Sequence, residues 1–72
     1  MNITEGTVLK ALVDLMDSSR TVSIDKLLEN LNIPDYILID YLEPLRLKGY
    51  TIQVYESITL TDRGLEAYHR FL

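Results

Sequence analysis

No cysteine occurs among the 72 residues, so the chain can hold neither a disulfide framework nor a thiolate metal site. Tryptophan is absent too, and the single histidine, His69, has no second histidine or cysteine with which to share a metal ion. No metal or other cofactor is therefore expected. The three glycines form no phosphate-binding loop: Gly6 and Gly64 fall in the first turns of periodic blocks, and Gly49 follows the end of one. Nothing in the sequence sets a nucleophile beside a base and an orienting group, so no enzymatic activity is expected. Cations are scarce: seven Lys and Arg face eleven Asp and Glu, for a formal net charge of −4 and an isoelectric point near 4.7. That balance is the opposite of a general phosphate-binding footprint. No apolar run nears the roughly 20 residues of a membrane span, and no basic stretch followed by an apolar run opens the chain. The expectation is a soluble, cytoplasmic protein with no membrane partner.

What is present is a dense apolar pattern. Hydrophobic residues make up 47% of the chain and cluster in periodic blocks, the mark of a packed fold rather than a disordered one. One small domain spanning 1–72 exhausts the length. A core of this size contributes only a few kcal/mol, and small chains without staples commonly lean on oligomerisation, which favours a homodimer.

The first block, Thr4 to about Asp17, carries Val8, Leu12 and Leu15 at helical spacing beside a second row of Leu9, Val13 and Met16. Asn2 with Glu5, or Thr4 alone, can cap its start. Its wide apolar face suits a helix wedged between two others, or one shared with a second subunit. Arg20-Thr21-Val22 suits an edge strand that pairs with a later hairpin. Ser23 to Leu31 forms a short helix with Ser23 as N-cap, Asp25 in the first turn, and Leu27, Leu28 and Leu31 facing inward. Asn32-Ile33-Pro34 is the turn, in which Asn32 takes the left-handed conformation and Pro34 falls in the first turn of the next helix. That helix, Asp35 to Lys48, buries Leu38, Tyr41, Leu42 and Leu45 and stops at Gly49. Pro44 deletes an amide deep within it, so a bend or an earlier end is expected. Tyr50 to Tyr55 and Ile58 to Thr61 alternate around a Glu56-Ser57 turn, a short hairpin. Asp62 to Leu72 closes the chain as a helix with Leu65, Tyr68 and Leu72 on one face and Phe71 beside them.

The order of these elements is that of a winged helix-turn-helix: an α+β, mostly helical fold with a three-helix core, a short β-hairpin wing and a C-terminal helix. Three stretches resemble small MarR-like and PadR-like prokaryotic regulators of that superfamily. They are Leu27-Leu28 to Ile33, Leu42-Glu43-Pro44-Leu45-Arg46-Leu47-Lys48-Gly49-Tyr50, and Ile58-Thr59-Leu60-Thr61-Asp62-Arg63-Gly64-Leu65-Glu66-Ala67. With the leading helix they cover nearly the whole chain. The resemblance implies a dimeric transcription regulator that binds double-stranded DNA, with its second helix in the major groove. By position, Asp35, Tyr36, Ile37, Ile39 and Asp40 would face the groove, and Tyr55, Glu56 and Ser57 would form the wing tip.

The residues at those positions depart from the DNA-reading pattern. From Pro34 to Thr61, Asp35, Asp40, Glu43 and Glu56 stand against Arg46 and Lys48, a formal local balance of −2. The expected function remains the DNA-contacting regulator, with a protein-interaction module as the alternative. In the first, Tyr36 and Ile39 meet DNA while Arg46, Lys48 and Arg63 form a phosphate-binding patch. The bland alternative for those three is solvated surface cations, as it is for Arg20 and Lys26 near the start of the first helix of the pair. In the second, Tyr36, Ile37 and Ile39 form an outward apolar patch that binds a protein partner, and the module does not bind DNA. Tyr68, Phe71 and Leu72 of the last helix are candidates for a homodimer contact; packing against the first helix is the bland reading, and both can hold at once.

Overall fold

The computed structural model describes residues 3–71, and side chains for residues 3–70. It is an α+β fold of four helices and one small antiparallel sheet: α1 (Glu5–Leu15), β1 (Thr21–Ser23), α2 (Ile24–Leu31), α3 (Asp35–Leu47), β2 (Thr51–Val54), β3 (Ser57–Leu60) and α4 (Asp62–Phe71). The sheet order is β1-β3-β2. β1 therefore joins from the far side of the hairpin, with Val22 opposite Ile58 and Thr21 opposite Thr59. This is the edge strand that its sequence suggested.

α1 is the wedged helix. It packs on α2, α3, α4 and β1 together, which is why two adjacent apolar rows are needed: Val8, Leu9, Ala11 and Leu12 are buried, and Val13, Leu15 and Met16 pack half-buried around them. Its start is a capping box between Thr4 and Thr7. The Thr4 hydroxyl accepts from the Thr7 amide at 3.1 Å, and the Thr4 amide donates to the Thr7 hydroxyl at 3.2 Å. The capping role considered for Asn2 lies outside the described residues. The helix stops at Leu15, short of Asp17, because Asp17 organises the next turn instead. Its carboxylate accepts from the Ser19 amide, the Ser19 hydroxyl and the Thr21 amide at 2.9, 2.6 and 3.1 Å. Those bonds hold the Asp17 carboxyl below its ordinary value of 3.8, the Ser19 hydroxyl contributing most.

Ser23 caps α2 by accepting from the Lys26 amide at 3.2 Å, and Asn32 ends it in the left-handed region with φ of 54°. Pro34 differs from expectation by one position: it is the N-cap of α3, and its carbonyl accepts from the Ile37 and Leu38 amides. α3 runs through Pro44 to Leu47, so the proline does not end it early. Its exit is a Schellman turn in which the Tyr50 amide donates to the Leu45 carbonyl and the Gly49 amide to the Arg46 carbonyl. Gly49 has φ of 78° there, a conformation that a side chain would penalise.

The hairpin turn also moves by one residue, to Tyr55-Glu56, because Val54 pairs with Ser57 and the latter joins β3. Tyr55 then adopts φ of 55°, which a tyrosine pays for and a glycine would not. Below the hairpin, Thr61 fastens α4 to the exit of α3. Its hydroxyl donates towards the Gly49 and Tyr50 carbonyls at 2.6 and 3.0 Å and accepts from the Gly64 amide at 3.0 Å. The Thr61 amide donates to the same Tyr50 carbonyl. One core results, formed by α1, Leu27 and Leu31, Leu38, Leu42 and Leu45, the inward side chains Val22, Ile58 and Leu60 of the sheet, and Ala67 of α4.

Candidate partner interface

α3 presents its inner side to the core through Leu38, Leu42 and Leu45, with Tyr41 half-buried beside them. The Tyr41 hydroxyl donates to the Ile3 carbonyl at 2.9 Å, which fastens the chain before α1 to this helix. At 100° per residue, the opposite arc takes in Asp35, Arg46, Ile39, Glu43, Tyr36, Leu47 and Asp40 in that angular order, and all seven are exposed. Three of the seven are large and apolar, Tyr36 at 66% exposed, Ile39 at 60% and Leu47 at 71%, and they surround Glu43 at the middle of the arc. A helix that must bury only one stripe has no packing reason to carry three large apolar groups on the other. Leu47 was missed in the sequence, because its position beside Arg46 and Lys48 reads as the solvated end of a helix.

Ile37 does not join this patch. It lies on the flank of α3 and is half-buried, one step around the helix from the outward arc. Tyr68 packs half-buried against the core on a helix that contacts α1. The Phe71 side chain and Leu72, the other two candidates for a homodimer contact, lie outside the described residues.

The three cations assembled in the sequence as a phosphate patch have separate fates. Arg46 is paired with Glu43 one turn earlier at 2.7 Å. Lys48 reaches across to Glu5 at the start of α1 at 2.6 Å, and the carboxylate raises the ammonium pKa above its ordinary 10.5. Arg63 makes no ion pair among the described residues and lies against Gly49 at the base of the hairpin. Arg20 is paired with Asp62, which links the loop before β1 to the start of α4. Lys26 is exposed and makes no ion pair among the described residues. These exposed pairs stabilise the fold little. Their effect on the surface is larger: they leave Asp35 and Asp40 as the unneutralised charges around Tyr36 and Ile39.

The wing tip adds one aromatic side chain. Tyr55 is 92% exposed, and on the outward face of β2 Ile52 and Val54 are exposed as well. Glu56 is the only charged residue of the turn. Among the described residues no group of acidic, histidine or cysteine side chains could hold a metal ion, and no helix is long and apolar enough to cross a membrane. The chain matches no protein-family model, no curated protein and no solved structure.

Proposed function

We propose that the chain is a winged helix-turn-helix module that binds a protein partner through the outward face of α3. The winged-helix reading is supported by the element order α1-β1-α2-α3-β2-β3-α4, by the sheet order β1-β3-β2, and by the left-handed Asn32 between α2 and α3. The protein-binding reading rests on one observation: the outward face of α3 exposes Tyr36, Ile39 and Leu47, while Arg46 and Lys48 are engaged by carboxylates of the chain itself. Large apolar groups that stand together on a surface mark interaction sites. Tyrosine in particular contributes a broad contact at low cost in side-chain entropy. A phosphate backbone brought to this face would meet Asp35 and Asp40 first, and would have to displace Glu43 from Arg46 to gain a cation.

A transcription regulator that contacts DNA is the second reading, and Arg63 favours it. This guanidinium, at the base of the hairpin, has no carboxylate partner among the described residues. Fluorescence anisotropy with a labelled mixed-sequence duplex separates the two. The expected result is no binding at low salt, where phosphate attraction is strongest. Binding that weakens steeply with salt, with a slope reduced by about 1 for each of Arg46→Ala and Lys48→Ala, would overturn the protein-binding reading.

A further inference from the structure

We infer that the partner of the α3 face is a protein helix whose apolar stripe is bordered by lysine and arginine. This rests on the protein-binding reading above and adds the chemistry of the partner. The outward arc of α3 carries Ile39, Tyr36 and Leu47 around Glu43, with Asp35 and, near the helix end, Arg46 on one flank and Asp40 on the other. Of the other charges on the arc, Glu43 and Arg46 neutralise one another. The charges on the arc that make no ion pair among the described residues are therefore Asp35 on one flank and Asp40 on the other.

The apolar residues span Tyr36 to Leu47, about 16 Å at 1.5 Å per residue, which matches some three turns of a second helix. A partner helix laid along α3 would place apolar side chains of an i, i+3, i+4, i+7 stripe between Tyr36, Ile39 and Leu47. Residues on its two flanks would then stand beside Asp35 and Asp40, and cations there are attracted where carboxylates are repelled. A second copy of the chain does not fit. Two α3 faces brought together would oppose the same acidic borders, between molecules that each carry a net charge of −4.

The test uses the full chain and three helical peptides of about 18 residues, long enough to present such a stripe. The first has leucines at i, i+3, i+4 and i+7, lysine at the positions beside them and alanine elsewhere to hold the helix. The second keeps the leucines and replaces lysine by glutamate; the third keeps the lysines and replaces leucine by serine. Amide chemical shifts report where each peptide binds. Only the leucine-lysine peptide is expected to bind with shifts centred on Tyr36, Ile39, Glu43 and Leu47. Asp35→Asn with Asp40→Asn should weaken it about tenfold, as should Tyr36→Ser with Ile39→Ser. Equal binding of the lysine and glutamate peptides at α3 would overturn the charge inference and leave the protein-binding reading standing. If neither leucine peptide shifts α3, both fall. Binding of the serine-lysine peptide as tight as that of the leucine-lysine peptide would show charge attraction alone, and would overturn the stripe.

Discussion

Gly64 gives the sharpest test of the packing, because local propensity and tertiary contact predict opposite signs. It sits in the first turn of α4, where alanine would ordinarily stabilise a helix by about 1 kcal/mol over glycine. A Cβ built at Gly64, however, would stand 2.2 Å from the Tyr50 carbonyl oxygen and 2.6 Å from a Leu60 methyl. Ordinary contact starts near 3.4 Å, so the carbonyl would have to retreat by about 1 Å. It is not free to do so, since it accepts from both the Thr61 amide and the Thr61 hydroxyl at 3.0 Å. Forcing extra volume into a packed site costs about 1–3 kcal/mol, and each hydrogen bond lost adds about 1 kcal/mol. Set against the propensity gain, Gly64→Ala should destabilise by about 2 kcal/mol. For a domain of this size that lowers Tm by about 8–16 °C. Thermal unfolding followed by circular dichroism, with urea midpoints as a check, reads it directly. A Tm that stays level or rises would mean that helix propensity dominates and that α4 does not seat against Tyr50 as described.

Three further outcomes are expected. Thr61→Ala should cost about 1–2 kcal/mol, because it removes the N-cap of α4 and the donor to the Gly49 carbonyl together; Thr61→Ser keeps both groups, and its urea midpoint should stay near that of the parent. Tyr55→Gly should stabilise by about 0.5–1 kcal/mol, since a left-handed φ strains tyrosine and not glycine and the side chain packs on nothing; a lower urea midpoint would reveal a contact of the Tyr55 ring. Asp17 has a depressed pKa, so its contribution to stability is fully present above its ordinary 3.8 and is lost as pH falls through the lower folded value. Asp17→Asn should therefore flatten the pH dependence of the urea midpoint below 3.8, and an unchanged acid limb would show that other carboxylates set it.

The parts of the fold that were legible in the sequence are those where one residue type meets one backbone demand. Ser23 as a cap, Asn32 in the left-handed region and Gly49 at the exit of α3 were each readable because few other residues serve there. The paired apolar rows of α1 were readable for a similar reason, since only a helix enclosed on several sides needs both. The misplacements came where two local solutions compete. A turn at Glu56-Ser57 and one at Tyr55-Glu56 differ by one residue, and sequence preference gave no reason to put tyrosine at a positive φ. The register of β3 decides it, because Ile58 and Leu60 must point into the core and Ser57 must then pair with Val54. Pro34 moved for a smaller reason, since a proline without an amide donor is equally at ease as the N-cap or one position later.

The candidate surface was legible only in part, because its chemistry depends on pairings between distant segments. Tyr36 and Ile39 could be placed outward from helical period alone, and the structure puts them there. No local pattern links Lys48 to Glu5, 43 residues apart in sequence, or Arg20 to Asp62, 42 apart. The first of these contacts engages a cation that the sequence alone would credit to a phosphate patch. Thr61 and Gly64 show the converse. They belong to one of the three stretches that carry the family resemblance, yet both are consumed in joining α4 to the exit of α3. A resemblance carried by such joints reports how the chain folds. What such a chain binds is a separate matter, carried by side chains that answer to no core: on the other side of α3 these are Tyr36, Ile39 and Leu47 among Asp35, Asp40 and the Glu43–Arg46 pair, the face on which the proposal of a basic protein helix rests.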